Sequence, residues 1–131
     1  MGLFLTKTFS GGVWTDDEVA EAPSLKIDIH DSDFATVVYS RADGQGLVYL
    51  GFQPRDYFED PAASAPVDID DQARGLSAWA RDATGSDVDL AGVRELLAEE
   101  DIDEPLDDFV EDTVVRLLAV LNIPNPPELL P

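Results

Sequence analysis

FATVVYSRADGQGLVYLGFQ, residues 34–53, reads as two apolar runs joined by a turn. Thr36–Tyr39 form the first run and Leu47–Phe52 the second. Their β-branched and aromatic residues favour a pleated surface. Asp43-Gly44 between them is a hairpin signal, because both residues tolerate positive φ. Neither run alternates cleanly between apolar and polar. That pattern predicts strands covered on both faces, hence a central hairpin.

Upstream, Leu3–Phe9 reads as a strand that Ser10-Gly11-Gly12 breaks. Thr15 with Glu18 forms a capping-box pattern and predicts a short helical turn that ends before Pro23. Leu25, Ile27 and Ile29 alternate with Lys26, Asp28 and His30, as in a strand with one wet face. Downstream, Pro54–Pro66 reads as a loop with Tyr57 and Phe58 anchored on the sheet. Ile69, Ala73, Leu76, Trp79, Ala80 and Ala83 fall on one helical stripe that Gly85 stops. A second helix is expected from Asp87 to Glu99 with Ser86 as its N-cap. In a third, Leu106, Phe109, Val110, Thr113, Val114, Leu117, Leu118 and Leu121 recur at helical intervals, with Pro105 in its first turn. Four prolines make residues 122–131 an extended, non-helical tail. Strands first and helices afterwards predict an α+β fold: an antiparallel sheet of about four strands, with three C-terminal helices packed on one face. A single domain over 1–121 and a Pro-rich tail follow.

Composition narrows the function. The 131 residues hold no cysteine, which excludes disulfides, a thiolate nucleophile and Cys-based zinc sites. His30 is the one histidine, so no site can use two imidazoles. It sits on the outward side of its strand and reads as a surface residue, with no G-x-S-x-G elbow to supply a nucleophile. No phosphate-binding loop is present, and Asp68, Asp70, Asp71, Asp87 and Asp89 do not match a calcium loop. No cofactor or metal is expected. The opening residues lack a basic n-region, and no apolar run approaches membrane-spanning length, so a cytoplasmic location is the expectation.

The 28 acidic residues against 8 basic ones give a net charge of −20. Such a field repels nucleic acid and anionic membrane and attracts basic partners. It also serves solubility in acid-rich, salt-adapted proteomes. From Glu99 to Asp112, nine of fourteen residues are acidic. Glu99, Glu100, Asp103, Glu104, Asp107, Asp108, Glu111 and Asp112 are the candidate electrostatic contacts to a basic protein, with Trp14 and Tyr57 as apolar anchors.

Three segments carry a resemblance. They are Pro23-Ser24-Leu25-Lys26-Ile27, Ala35-Thr36-Val37-Val38-Tyr39 and Asp43–Gly51. Together with Pro66-Val67-Asp68 leading into a helix that ends Ala83-Thr84-Gly85, they resemble small immunity proteins of bacterial polymorphic-toxin systems. The resemblance spans residues 23–85. It implies a protein that binds and blocks a toxin, and it carries over no functional residue. The expectation is thus a non-enzymatic, immunity- or inhibitor-like binding protein. The alternative is a small-molecule-binding domain or minor enzyme with its pocket between sheet and helices.

Overall fold

In the computed structural model, residues 2–17, 20–64, 68–98 and 104–129 are described. The fold is α+β. Five antiparallel strands, β1 (Leu5–Ser10), β2 (Val13–Thr15), β3 (Ser24–His30), β4 (Phe34–Arg41) and β5 (Gly44–Leu50), lie in the order β2-β1-β3-β4-β5. The helices are α1 (Pro54–Tyr57), α2 (Ile69–Thr84), α3 (Leu90–Leu96) and α4 (Val110–Val120), followed by a 3-10 turn at Pro127–Leu129.

The alternation of β3 sets the layers. Leu25, Ile27 and Ile29 pair across to Tyr39, Val37 and Ala35, and all six are buried. Helices α2, α3 and α4 pack on this face through Leu76, Trp79, Val93, Val114 and Leu117, each fully buried. Their apolar stripes bury themselves against the sheet, which is the main drive for a two-layer fold. Asp68 caps α2 by accepting the Asp71 N–H, and Gly85 ends it in the left-handed conformation. On the other face, Thr6, Lys26, Asp28, Thr36, Val38 and Ser40 keep contact with solvent.

Several expectations change: Pro54–Tyr57, read as part of a loop, forms α1; the tail, read as non-helical, holds a 3-10 turn; and the β4–β5 turn residues are Ala42 and Asp43, because Arg41 pairs with Gly44. The sheet has a fifth strand, β2, where Thr15 was expected to open a helical turn; Glu18 lies outside the described residues. Gly11 and Gly12 both take positive φ and close a two-residue hairpin, so Val13–Thr15 pair with β1. Residues 34–53 form an inner strand and an edge strand, and the centre of the sheet is β3. Val38 and Leu47 are apolar but only half-buried, so their runs record strand propensity rather than two covered faces. Helix α3 starts after Asp89 and ends at Leu96, because the Ala98 N–H leaves the helix to bond the Tyr49 carbonyl (2.7 Å) on the β5 edge. Helix α4 starts at Val110, whose N–H is taken by the Ser32 carbonyl at 2.8 Å. Leu106 and Phe109, expected on its inward stripe, are 53% and 57% exposed.

The tail lies on the same chain's sheet. Ile123 and Pro126 are buried, and Glu128 reaches the Lys7 ammonium at 2.5 Å. No helix among the described residues is long and apolar enough to cross a membrane.

Candidate protein-docking surface

The β3–β4 turn, Asp31-Ser32-Asp33, organises one end of the sheet. Asp31 and Ser32 both hold positive φ, an uncommon state for residues other than glycine. Neighbours fix them there. The Ser32 N–H donates to the Leu3 carbonyl at 3.0 Å, and the Ser32 hydroxyl accepts the Leu3 N–H at 2.7 Å. That hydroxyl donates in turn to Glu111 Oε2 at 3.0 Å. Gly51, at φ +80°, passes directly beneath the turn; a Cβ there would overlap the Asp33 carbonyl. The N-terminal segment, the turn and the start of α4 are therefore locked together.

Aromatic rings gather beside this lock. His30 is half-buried, with Phe34 stacked on it at 5.0 Å and Phe4 edge-on at 5.1 Å. Tyr57 and Phe58, carried by α1 and its C-cap, approach the His30 ring at 5.9 and 5.8 Å. These separations suit edge-to-face and offset packing. The Tyr57 hydroxyl donates to Asp33 Oδ2 at 2.7 Å, and this bond to the carboxylate holds the phenol above its ordinary pKa. The cluster is not closed over: Phe4 is 60% and Phe58 51% exposed. Acids rim it. Asp31 and Asp33 lie in the turn, Asp28 faces solvent on the same side of β3, and Glu59 and Asp60 are exposed after α1.

The acidic run divides. Glu99, Glu100 and Asp103 lie outside the described residues. The Asp107 carboxylate accepts from the Thr113 hydroxyl at 2.6 Å and from Arg116 at 3.0 Å, so the chain itself occupies it. Glu111 is half-buried against Ser32. Glu104, Asp108 and Asp112 remain exposed. Of the two aromatic anchors, Tyr57 joins the cluster. Trp14 lies at the other end of the sheet, packed on Phe9 at 5.1 Å and donating its indole N–H to the Pro124 carbonyl at 2.7 Å.

Sequence reading placed Tyr57 and Phe58 on the sheet but missed the assembly around His30. Phe4 and His30 are far apart in the chain, and they meet only once the antiparallel order of β1 and β3 is known. The flanking of Asp31-Ser32-Asp33 by His30 and Phe34 was the available signal.

Among the described residues, no three His, Asp or Glu side chains gather as a metal site. The aspartates considered for calcium have other roles: Asp68 caps α2, Asp70 pairs with Arg94 at 2.6 Å, and Asp87 pairs with Arg81 at 2.7 Å. At the centre of the sheet–helix interface, where the alternative expected a pocket, Trp79, Leu76, Leu117 and Leu118 fill the space, while an open hollow of 240 Å³ lined by Tyr39, Arg41, Asp43, Gln45 and Gly75 lies at its border. Tyr39 is a polar group at that border. Its ring lies where Cβ atoms on Gly46 and Gly75 would sit, and burial pushes its phenol pKa up. Comparison with family models, with curated proteins and with solved structures finds no match to this chain.

Proposed function

We propose that this protein is a non-enzymatic, immunity- or inhibitor-like binding protein that blocks a basic site on a protein partner. The observation that carries the reading is the open aromatic cluster at Phe4, His30, Phe34, Tyr57 and Phe58, rimmed by carboxylates. Exposed apolar patches with polar rims mark interaction surfaces. Aromatic faces and acids together favour lysine and arginine, through ring quadrupoles and charge. The work divides between two kinds of contact. The acidic field of the chain, including Glu104, Asp108 and Asp112, steers a basic partner into encounter. Phe4 and Phe58 then pack against it, and their burial sets the lifetime of the complex.

The test begins with capture of a partner from native-host lysate, eluted by rising salt. Asp108→Lys with Asp112→Lys is expected to lower the association rate about tenfold or more at low salt and little at high salt. Phe58→Ala is expected to raise the dissociation rate by about tenfold with the association rate unchanged. Absence of a basic partner, or a partner indifferent to both variants, would overturn the proposal and leave salt adaptation as the account of the charge.

A further inference from the structure

On the sheet face away from α2–α4 lies a cavity of 110 Å³. Thr8 from β1, Ser24 and Lys26 from β3, Ser40 from β4 and Gln45 from β5 line it, and Ala20 closes one side. Thr8 and Lys26 are direct cross-strand partners, and so are Ser24 and Ser40. Side chains in such pairs share one face with Cβ atoms about 5 Å apart. Thr8, Ser24, Lys26 and Ser40 are therefore gathered on one face by strand register rather than by loops.

Two groups here lack partners that the rest of the molecule supplies. Thr8 is 2% exposed; its Oγ1 has no hydrogen-bond partner and no surface open to the cavity. Lys26 makes no ion pair among the described residues, although acids outnumber bases more than threefold. The nearest acid along its face of the strand, Asp28, already accepts the Thr6 hydroxyl at 3.2 Å. Gln45 donates to the Ser40 Oγ at 3.2 Å, which leaves the Ser40 O–H free to donate elsewhere.

We propose that this cavity binds a small oxyanion, a carboxylate or phosphate group, with Lys26 as counter-ion and the Ser24 and Ser40 hydroxyls as donors. Lysine serves anions as a point charge, and rotatable hydroxyls adapt to the acceptor. The cavity, at 110 Å³, is roomy enough for an oxyanion group. The net charge of the chain does not prevent this, because charges beyond about 8 Å are largely screened at physiological salt. This site is independent of the aromatic docking surface.

The full chain, followed by amide NMR, is titrated with inorganic phosphate and separately with sodium acetate, each against sodium chloride at matched ionic strength. The expected result is saturable shifts at Thr8, Ser24, Lys26 and Ser40 with at least one probe. Stronger binding of acetate identifies a carboxylate site, and stronger binding of phosphate a phosphate site. Lys26→Met keeps the aliphatic stem and is expected to weaken binding about tenfold or more. Ser40→Ala removes a donor and is expected to weaken it severalfold. Spectral dispersion reports that each variant remains folded. Linear, unsaturated shifts with both probes would overturn the proposal. So would affinity unchanged in both folded variants, which would reduce Lys26 to a side chain laid over the sheet.

Discussion

The two ends of the sheet are built from similar residues and finished differently. At one end, Phe9 and Trp14 are covered by the chain's own tail, with the indole N–H spent on Pro124 and Lys7 bridging Asp16 and Glu128. At the other end, roughly 17 Å along β3, His30 and Phe34 meet Phe4, Tyr57 and Phe58, and two of these rings stay open to solvent. Aromatic residues alone thus do not mark a docking surface. What separates the ends is whether the chain has used up their edges and polar atoms. Trp14 has the residue type of a binding anchor and the contacts of a structural one.

The comparison breaks most readily at the backbone under the open end. Gly51→Ala places a Cβ against the Asp33 carbonyl at a positive φ, and is expected to cost about 3–5 kcal/mol in urea denaturation. A loss under about 1 kcal/mol would mean that the Asp31–Asp33 turn yields easily and is a poor platform. Trp14→Ala at the closed end removes the Phe9 contact and the bond to Pro124, for about 2–3 kcal/mol. Hydrogen exchange at Ile123 should rise with it; a tail that stays protected would show that Trp14 is not its anchor. Phe58→Ala at the open end is expected to cost under about 1 kcal/mol, because half of that ring already meets water. A larger loss would make the open cluster part of the core and remove the contrast.

The smallest effect concerns pH at the closed end. The bond from Lys7 holds the Glu128 carboxyl below its ordinary pKa, and the bonds to Asp16 and Glu128 hold Lys7 above its own. A lowered carboxylate adds stability above the ordinary glutamate range, lost as pH falls through the lowered value. A raised lysine adds stability below the ordinary lysine range, lost as pH rises through the raised value. The tail should therefore be held best between these limits. Limited proteolysis should detect its release in acid, and Glu128→Gln should flatten the acid side of that profile. The change is small because both groups are solvent-screened.

Much of this architecture was legible where periodicity and burial coincide. Leu25-Ile27-Ile29 and the Ala73-Leu76-Trp79-Ala80 stripe state their inward faces directly, and Gly85 marks its helix end. Reading failed where a tertiary bond overrides a local pattern. The Val110 N–H goes to Ser32, so the helical spacing of Leu106 and Phe109 is not used. The Ala98 N–H goes to Tyr49, so α3 stops short. Gly11-Gly12 was read as a breaker when its two positive φ angles make it a hairpin. The aromatic cluster was half legible, in Tyr57 and Phe58. Its remaining members depend on which strands neighbour each other, which local pattern does not state. For the acidic run, composition shows charge but not which carboxylates, such as that of Asp107, the chain itself occupies.

The bond from Ala98 to Tyr49 also bears on how the molecule behaves when crowded. An outer strand with free amides and carbonyls is a template on which another chain can lay a strand of its own, the first step towards fibrils. Here Ala98 takes the carbonyl of Tyr49, the Gln53 side chain in turn holds the Ala98 carbonyl at 2.6 Å, and the opposite outer strand is only three residues long. Pairing of another strand onto that end of β5 is thereby hindered. The end of β5 nearest the rings and carboxylates of the open cluster is thus the part of that edge least able to recruit a further copy.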